Sequence, residues 1–107
     1  MRVDILNNGK VIGHCNLAPI DPSMGVAGGR FDPTPEYDPS FHAFVVDGDY
    51  KDIAGVAQLS AHSAEFGPIR CKGVAIEDFN ESLNEITVVI LGMAYPEYEI
   101  AFAFPGA

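Results

Sequence analysis

Residues 1–16 alternate between apolar and polar positions in the pattern of two paired strands. Val3 and Ile5 have polar neighbours, and Asn7-Asn8-Gly9 supplies the residues of a tight turn. A two-residue turn at Asn8-Gly9 would pair Ile5 with Ile12, whereas a three-residue loop with Gly9 in a left-handed bulge would pair Ile5 with Val11. We favour the second register because it separates apolar from polar side chains more cleanly. It places on one face Val3, Ile5, Val11, Gly13 and Cys15, and on the other face His14 and Asn16.

Residues 18–39 are rich in proline and glycine, and they predict a long connection without regular structure. Five of the eight prolines lie in this stretch. Proline cannot donate to a strand ladder, and the residue before it avoids the helical region. A loop of this length inside a domain often carries function. The stretch also holds apolar residues that indicate packing onto the body of the domain: Ile20, Met24, Val26 and Phe31.

A helix is predicted to begin after the long connection. Asp38 can cap it, Pro39 suits its first position, and Phe41, Phe44 and Val45 fall at helical spacing before Gly48 ends it. Asp49 then caps a second short helix, whose apolar face comprises Tyr50, Ile53, Ala54 and Ala57. The alternative is a hairpin around Asp47-Gly48, because residues 41–46 also suit a strand. The helix is the preferred interpretation of residues 41–57.

The C-terminal half of the chain has the pattern of strands. A strand over 69–76 follows Gly67-Pro68, and residues 80–84 form a polar turn. Residues 85–93 are β-branched and apolar on both faces, which favours a central strand covered on two sides. Pro96 and Pro105 flank the clearest half-buried strand, whose apolar positions are Tyr98, Ile100, Phe102 and Phe104.

These elements add up to an α+β fold in one domain over residues 1–107. The predicted order is an N-terminal β-hairpin, a long Pro/Gly-rich loop, one or two short helices and a C-terminal antiparallel β-meander. A chain of 107 residues fits one domain. Its 48% of hydrophobic residues is too high for a disordered acidic tail.

The charge of the chain is negative and unevenly distributed. The net charge is −9, with a pI of about 4.4. Residues 1–30 carry three basic and two acidic residues, a net of +1, while residues 31–107 carry three basic and thirteen acidic residues, a net of −10. The charge argues against nucleic acid and an anionic membrane as partners, because both prefer basic surfaces.

Targeting and cysteine signals favour a soluble, cytoplasmic protein. The N-terminus has no apolar run of signal-peptide length, and the longest apolar stretch is far too short to span a bilayer. The two cysteines, Cys15 and Cys71, are far apart and belong to no Cys-x-x-Cys pair. We interpret them as small buried residues.

The segment from Ser23 to Arg30 is the most suggestive for ligand binding. Glycine backbone amides can converge on an anion, and an arginine can add a bidentate contact. The glycine spacing matches neither a P-loop nor a dinucleotide fingerprint. The structural alternative is that the glycines permit tight turns while Arg30 pairs with an acid such as Asp32. The candidate anion-binding residues are Ser23, Gly25, Gly28, Gly29 and Arg30.

No metal, cofactor or catalytic site is predicted. His14, His42 and His62 are separated by 28 and 20 residues, so only the fold could unite them, and isolated histidines are the simpler interpretation. The acidic run that begins at Asp47 fails the calcium-loop pattern at its fifth, sixth and twelfth positions. Serines and histidines are present without a nucleophile-elbow motif.

Two functional hypotheses follow. The first is a non-enzymatic interaction module, including an inhibitor or immunity-type protein, which uses its acidity to attract a basic partner. Its candidate contact surface is the strand that contains Tyr98, Ile100, Phe102 and Phe104, and a homodimer through the same face is also compatible. The second is a small enzyme or anion-binding protein that uses the 23–30 segment.

Overall fold

Strands dominate the computed structural model of the chain, which describes residues 1–50 and 59–94. Of these residues, 58% lie in strands and 13% in helical turns. The predicted α+β class is therefore wrong, and the fold is mostly β. The strands are β1 (Arg2–Asn7), β2 (Lys10–Asn16), β3 (Ala18–Asp21), β4 (Val26–Pro33), β5 (Val45–Val46), β6 (Asp49–Tyr50), β7 (Leu59–Ser63), β8 (Gly67–Pro68), β9 (Gly73–Phe79) and β10 (Glu85–Leu91). Helical turns comprise a 3-10 turn at Pro22–Met24, α1 (Pro39–His42) and α2 (Asn80–Leu83).

One mixed sheet contains all ten strands. Nine follow the order β6-β5-β9-β10-β4-β2-β1-β7-β8, and β3 pairs with β4 beside this path. Strand β5 runs parallel to β9, and the other described pairs are antiparallel. Residues 27–30 of β4 pair with β10 and residues 31–33 pair with β2, so β4 joins the two halves of the sheet.

The hydrophobic core lies on the inner side of the curved sheet. Strand β7 approaches β9, although the two are far apart in the sheet order, so the sheet curls around its own core. Burying these side chains is the main stabilising contribution to such a fold. The largest fully buried apolar side chains come from both halves of the sheet: Phe31, Ile5, Ile12, Ile76, Ile90, Val3, Val74 and Val88.

Strands β1 and β2 pair in a register that differs from the favoured one. Asn8 and Gly9 both have positive φ, 51° and 83°, and form a two-residue turn. Asn-Gly suits this turn because its twist matches that of the strands. A bulge at Ile12 then shifts the ladder, so that Ile5 faces Gly13. The favoured pairing of Ile5 with Val11 is wrong, because the bulge lets Ile12 and Gly13 both be buried.

The predicted structureless loop is wrong over most of its length. Residues 18–33 form β3, a 3-10 turn and β4. Strands β2 and β3 follow β4 as one interrupted strand, with Cys15 opposite Phe31 and Ala18 opposite Gly28. The proline in β3, Pro19, is tolerated because, among the described strands, β3 pairs only with β4.

The predicted helix begins at the expected residue but ends early. The Asp38 side chain accepts a hydrogen bond from the Ser40 amide at 2.9 Å, and α1 ends at His42. Strands β5 and β6 then pair around Asp47-Gly48, which is the hairpin alternative. The hairpin is favoured over the longer helix because the amides of Phe44 and Asp47 also donate hydrogen bonds to β9. Asp49 lies in β6 rather than capping a second helix, and the remainder of that predicted helix, 51–57, lies outside the described residues.

The C-terminal half confirms the central position of one strand and corrects three predictions. Strand β10 lies between β9 and β4, which confirms its central position. It is buried on one face only: Val88 and Ile90 are inaccessible, while Leu91 is 44% exposed. Strand β9 begins at Gly73 rather than residue 69, and residues 80–83 form the helical turn α2. The predicted strand with Tyr98, Ile100, Phe102 and Phe104 lies outside the described residues.

Candidate functional site

The predicted anion-binding segment lies along a turn and a strand. Ser23 belongs to the 3-10 turn, where its amide and hydroxyl donate to Asp21 Oδ1 at 3.1 and 2.7 Å. Gly25 ends that turn with φ 66°, and its carbonyl accepts from the Met93 amide at 2.9 Å. Arg30 is exposed five residues further along β4, roughly 16 Å away at strand rise. The turn and Arg30 are therefore too far apart for one small anion to contact both.

Close packing between strands explains the two central glycines of the segment. A Cβ at Gly28 would lie 2.7 Å from the Val88 carbonyl oxygen, and a Cβ at Gly29 would collide with the Asn16 carbonyl oxygen. Both residues lie in a strand paired with its neighbours. Their role in the fold is to let backbones approach, and their binding of an anion stays a prediction.

Two of the three histidines meet around one aspartate, which sequence spacing did not predict. His14 on β2 and His62 on β7 each lie opposite Asp4 on β1. Opposite residues of paired strands share a face, so the three form a row across the sheet. His14 Nδ1 lies 2.7 Å from Asp4 Oδ1, and both side chains are partly exposed.

A hydrogen bond joins two members of this row. Since a carboxylate only accepts, His14 Nδ1 donates to Asp4 Oδ1, and Nε2 is left for a second hydrogen bond. Among residues 1–50 and 59–94, no group of three or more His, Cys, Asp and Glu side chains is placed to hold a metal ion.

The third histidine belongs to a buried polar network. His42 is only 6% exposed, and its Nδ1 accepts the Asp38 amide at 2.9 Å. Its Nε2 lies 3.1 Å from the side-chain amide of Asn7 on β1. The ring stacks on Tyr37 with centroids 5.8 Å apart. Burial lowers the pKa of His42, against the opposing effect of the Asp38 carboxylate.

Tyr37 extends the network from β1 to β9, which lies in the other half of the sheet order. Its hydroxyl donates to Asp78 Oδ2 at 2.6 Å, and Asp78 Oδ1 accepts the Asn80 amide at 2.9 Å. Burial, reinforced by the hydrogen bond to Asp78, raises the pKa of the Tyr37 phenol. The phenol therefore remains a donor at neutral pH, and it satisfies a carboxylate that is almost fully buried.

The two cysteines are free thiols. Burial, with the nearby Asp32 carboxylate, raises the pKa of Cys15 to about 11. Burial also raises the pKa of Cys71. Neither thiol forms much thiolate at neutral pH, so neither has the environment of a catalytic nucleophile.

An acidic surface that includes an exposed leucine forms where Asp47 of the β5–β6 turn bonds Ser82 of α2. We call this surface the acidic shelf; its residues are Asp47, Asp49, Glu81, Leu83 and Glu85. Leu83 is 65% exposed, and Asp49, Glu81 and Glu85 are exposed. Segments 45–50 and 79–85 contain no lysine or arginine. Residues 80–84 were predicted as a polar turn, and the pattern of the sequence did not predict this surface.

Comparisons with known proteins do not assign the chain to a family. No protein-family model, no curated protein and no solved structure matches the chain. None of the helices in the described part of the chain is long and apolar enough to cross a membrane.

Proposed function

We propose that the protein is a non-enzymatic interaction module that binds a basic partner through the acidic shelf. The observation that carries the proposal is Leu83, an exposed leucine on a turn whose sequence neighbours include Glu81 and Glu85 and which Asp47 bonds through Ser82. An apolar residue with polar residues nearby is the arrangement that concentrates binding energy in protein interfaces. A partner with an apolar pocket between lysines or arginines fits this surface.

Hydrogen bonds between its two segments fix the shape of the acidic shelf. Asp47 Oδ1 accepts from the Ser82 amide at 3.0 Å and from the Ser82 hydroxyl at 2.8 Å. Asp47 lies within the β5–β6 turn, and Asn84 ends α2. Both residues have positive φ, so the chain changes direction sharply at each of them. A surface organised before binding loses less entropy when a partner arrives, so these contacts support recognition.

Charge supports the same proposal at long range. The chain carries a net charge of −9, and the acidic shelf contributes four carboxylates. A field of one sign speeds the encounter with an oppositely charged partner, and salt screens it. We therefore propose association that slows as ionic strength rises.

The described ends of the sheet are less suitable for a partner strand. The terminal strands of the sheet order, β6 and β8, are each two residues long, and β8 contains Pro68. Short edges with proline discourage strand addition. Binding by side chains at the acidic shelf is therefore favoured over pairing at these two edges. The proposed homodimer and the cytoplasmic location stay predictions from the sequence.

Selection from a random peptide display library tests the proposal. The wild-type chain is expected to enrich peptides with lysine or arginine around an apolar residue. A charge-reversed variant, Glu81→Lys with Glu85→Lys, serves as the counter-selection and is expected to lose those peptides. Enriched peptides that bind both proteins equally, or no enrichment at all, would contradict a role for the acidic shelf.

A further inference from the structure

We infer that protonation of His42 releases residues 37–47 from the sheet, so that the acidic shelf loses its fixed shape in mild acid. The release itself follows from the contacts of His42. Its consequence for binding rests on the proposed function of the acidic shelf.

Both ring nitrogens of His42 are engaged, and one of them only as an acceptor. Nδ1 accepts the Asp38 amide at 2.9 Å. Asn7 Nδ2 lies 3.1 Å from Nε2. A neutral ring that accepts at Nδ1 carries its proton on Nε2, so we assign the Asn7 amide the orientation rotated by 180°, in which Oδ1 accepts from Nε2. A protonated ring is a donor at both nitrogens and cannot accept from Asp38. Protonation therefore leaves the Asp38 amide facing an N–H group in a buried site.

The groups around the ring offset this loss only in part. Asp38 lies on the same turn, and its carboxylate favours the protonated ring. Tyr37 covers one ring face, and β1 contributes the uncharged amide of Asn7. The Asp78 carboxylate on β9 is hydrogen-bonded to the Tyr37 hydroxyl rather than to His42. Burial outweighs Asp38, so the folded chain keeps the ring neutral.

The pH range of release follows from the sign of this effect. The pKa of His42 is lower in the folded chain than its ordinary value of 6.5. The open or unfolded segment therefore binds a proton more readily than the folded segment does. The stability of the folded segment accordingly rises with pH in this range. The stabilisation is complete above the ordinary value and is lost progressively as the pH falls below it.

Release of His42 reaches the acidic shelf through two connections. The stacked Tyr37 holds Asp78, which in turn accepts the amide at the start of α2. Five residues beyond α1, Asp47 connects the β5–β6 turn to Ser82. Residues 37–47 thus join the buried ring to the surface that we propose for binding.

Amide hydrogen exchange of the full chain, measured at about pH 7.5 and about pH 5 on either side of the ordinary histidine value, tests the inference. The reporters are the Phe44 and Asp47 amides, which bond to Ile76 and Asp78 at 2.8 and 2.7 Å. The Lys72 amide, bonded to Leu91 at 2.8 Å, is the reference. After correction for intrinsic exchange, reporter protection is expected to fall relative to the reference by up to roughly tenfold per pH unit.

Matched variants assign the effect to one ring. His42→Asn keeps an acceptor near the Nδ1 position without a titrating group, and its reporters are expected to show no pH-dependent loss. His62→Asn removes an exposed histidine and is expected to behave as the wild type does. If H42N does not fold, His42→Gln serves in its place. Equal reporter protection at both pH values in the wild type, or an equal loss in H42N, would overturn the inference.

A peptide that binds the acidic shelf separates this inference from the proposed function. Its affinity is expected to fall at about pH 5 in the wild type more than in H42N, in the range where His42 titrates. Loss of reporter protection without any loss of affinity would overturn the link to binding and leave the release of residues 37–47 established. Loss of affinity with unchanged protection would overturn the release.

Discussion

Two turns of this protein share the sequence Asp-Pro-Ser and lead to different structures. Asp21-Pro22-Ser23 and Asp38-Pro39-Ser40 both begin with an extended aspartate whose Oδ1 accepts the serine amide, at 3.1 and 2.9 Å. The first is an exposed 3-10 turn that ends at Gly25 and leads into β4. The second is α1, which buries His42 and leads into the polar network.

In both regions the capping aspartate starts a turn. The residues around that turn determine whether its contacts with the sheet are apolar or polar. After the first turn, glycines let β4 pack tightly between its neighbours, so the contacts there are backbone and apolar. Around the second, side chains attach the chain to the sheet: the Tyr37 ring stacks on His42, and the Tyr37 hydroxyl donates to Asp78 of β9. Of the two regions, only the second buries a histidine, so we expect the response to mild acid there.

The largest effect is expected where β4 is packed most tightly. Gly29→Ala places a Cβ against the Asn16 carbonyl oxygen, and the backbone of β2 must shift to relieve it. We expect a loss of about 3 kcal/mol in the free energy of unfolding, measured by urea titration. Gly73→Ala is the control, because a Cβ there meets no atom within 4 Å, and it is expected to change stability by less than about 0.5 kcal/mol. Equal effects would contradict tight packing at β4.

A smaller effect is expected in the polar network. Tyr37→Phe removes the 2.6 Å hydrogen bond to Asp78 and leaves a buried carboxylate short of one donor. We expect a loss of about 2 kcal/mol at neutral pH. In a double-mutant cycle with Asp78→Asn, the two losses are expected to be less than additive. Fully additive losses would show that the two side chains do not act together.

The two caps themselves provide the next comparison. Asp38→Ala is expected to cost about 1 kcal/mol, because α1 carries the buried His42. Asp21→Ala is expected to cost about 0.5 kcal/mol, since its turn buries no residue. Thermal unfolding of both variants measures the difference. A larger loss at Asp21 would reverse the ranking of the two turns.

The smallest effect is expected at Arg30. Its side chain is exposed on β4, so Arg30→Ala is expected to change stability by less than about 0.5 kcal/mol. The same variant tests the predicted anion site at residues 23–30, by thermal shift with a panel of phosphorylated metabolites. We expect no shift that depends on Arg30. A shift in the wild type that R30A abolishes would support the ligand-binding hypothesis instead.

Local signals in the sequence predicted some of these features, and long-range pairing determined the rest. The Asp38 cap and the central position of β10 follow from neighbouring residues, and both were predicted. The row around Asp4 was missed because it depends on register. The favoured register places Asp4 opposite Ile12, whereas the bulge places it opposite His14. The sequence signal that could have predicted this row is an aspartate and a histidine on the polar faces of adjacent strands.

The polar network and the acidic shelf were also not predicted, because they too depend on pairing between distant parts of the chain. Tyr37 and Asp78 are 41 residues apart, and Asp47 and Ser82 are 35 apart. Their contacts exist because β5 pairs in parallel with β9. No periodicity or turn signal predicts that pairing.

The affinity of a basic, apolar peptide for two leucine variants tests the proposed binding surface most directly. Leu83→Asp changes the exposed leucine of the acidic shelf, and Leu91→Asp changes an exposed leucine at the end of β10. We expect L83D to weaken binding by at least roughly thirtyfold, the effect of losing an interface residue worth about 2 kcal/mol, and L91D to leave it within about twofold. Equal affinities for the two variants, or a greater loss in L91D, would contradict binding through the acidic shelf.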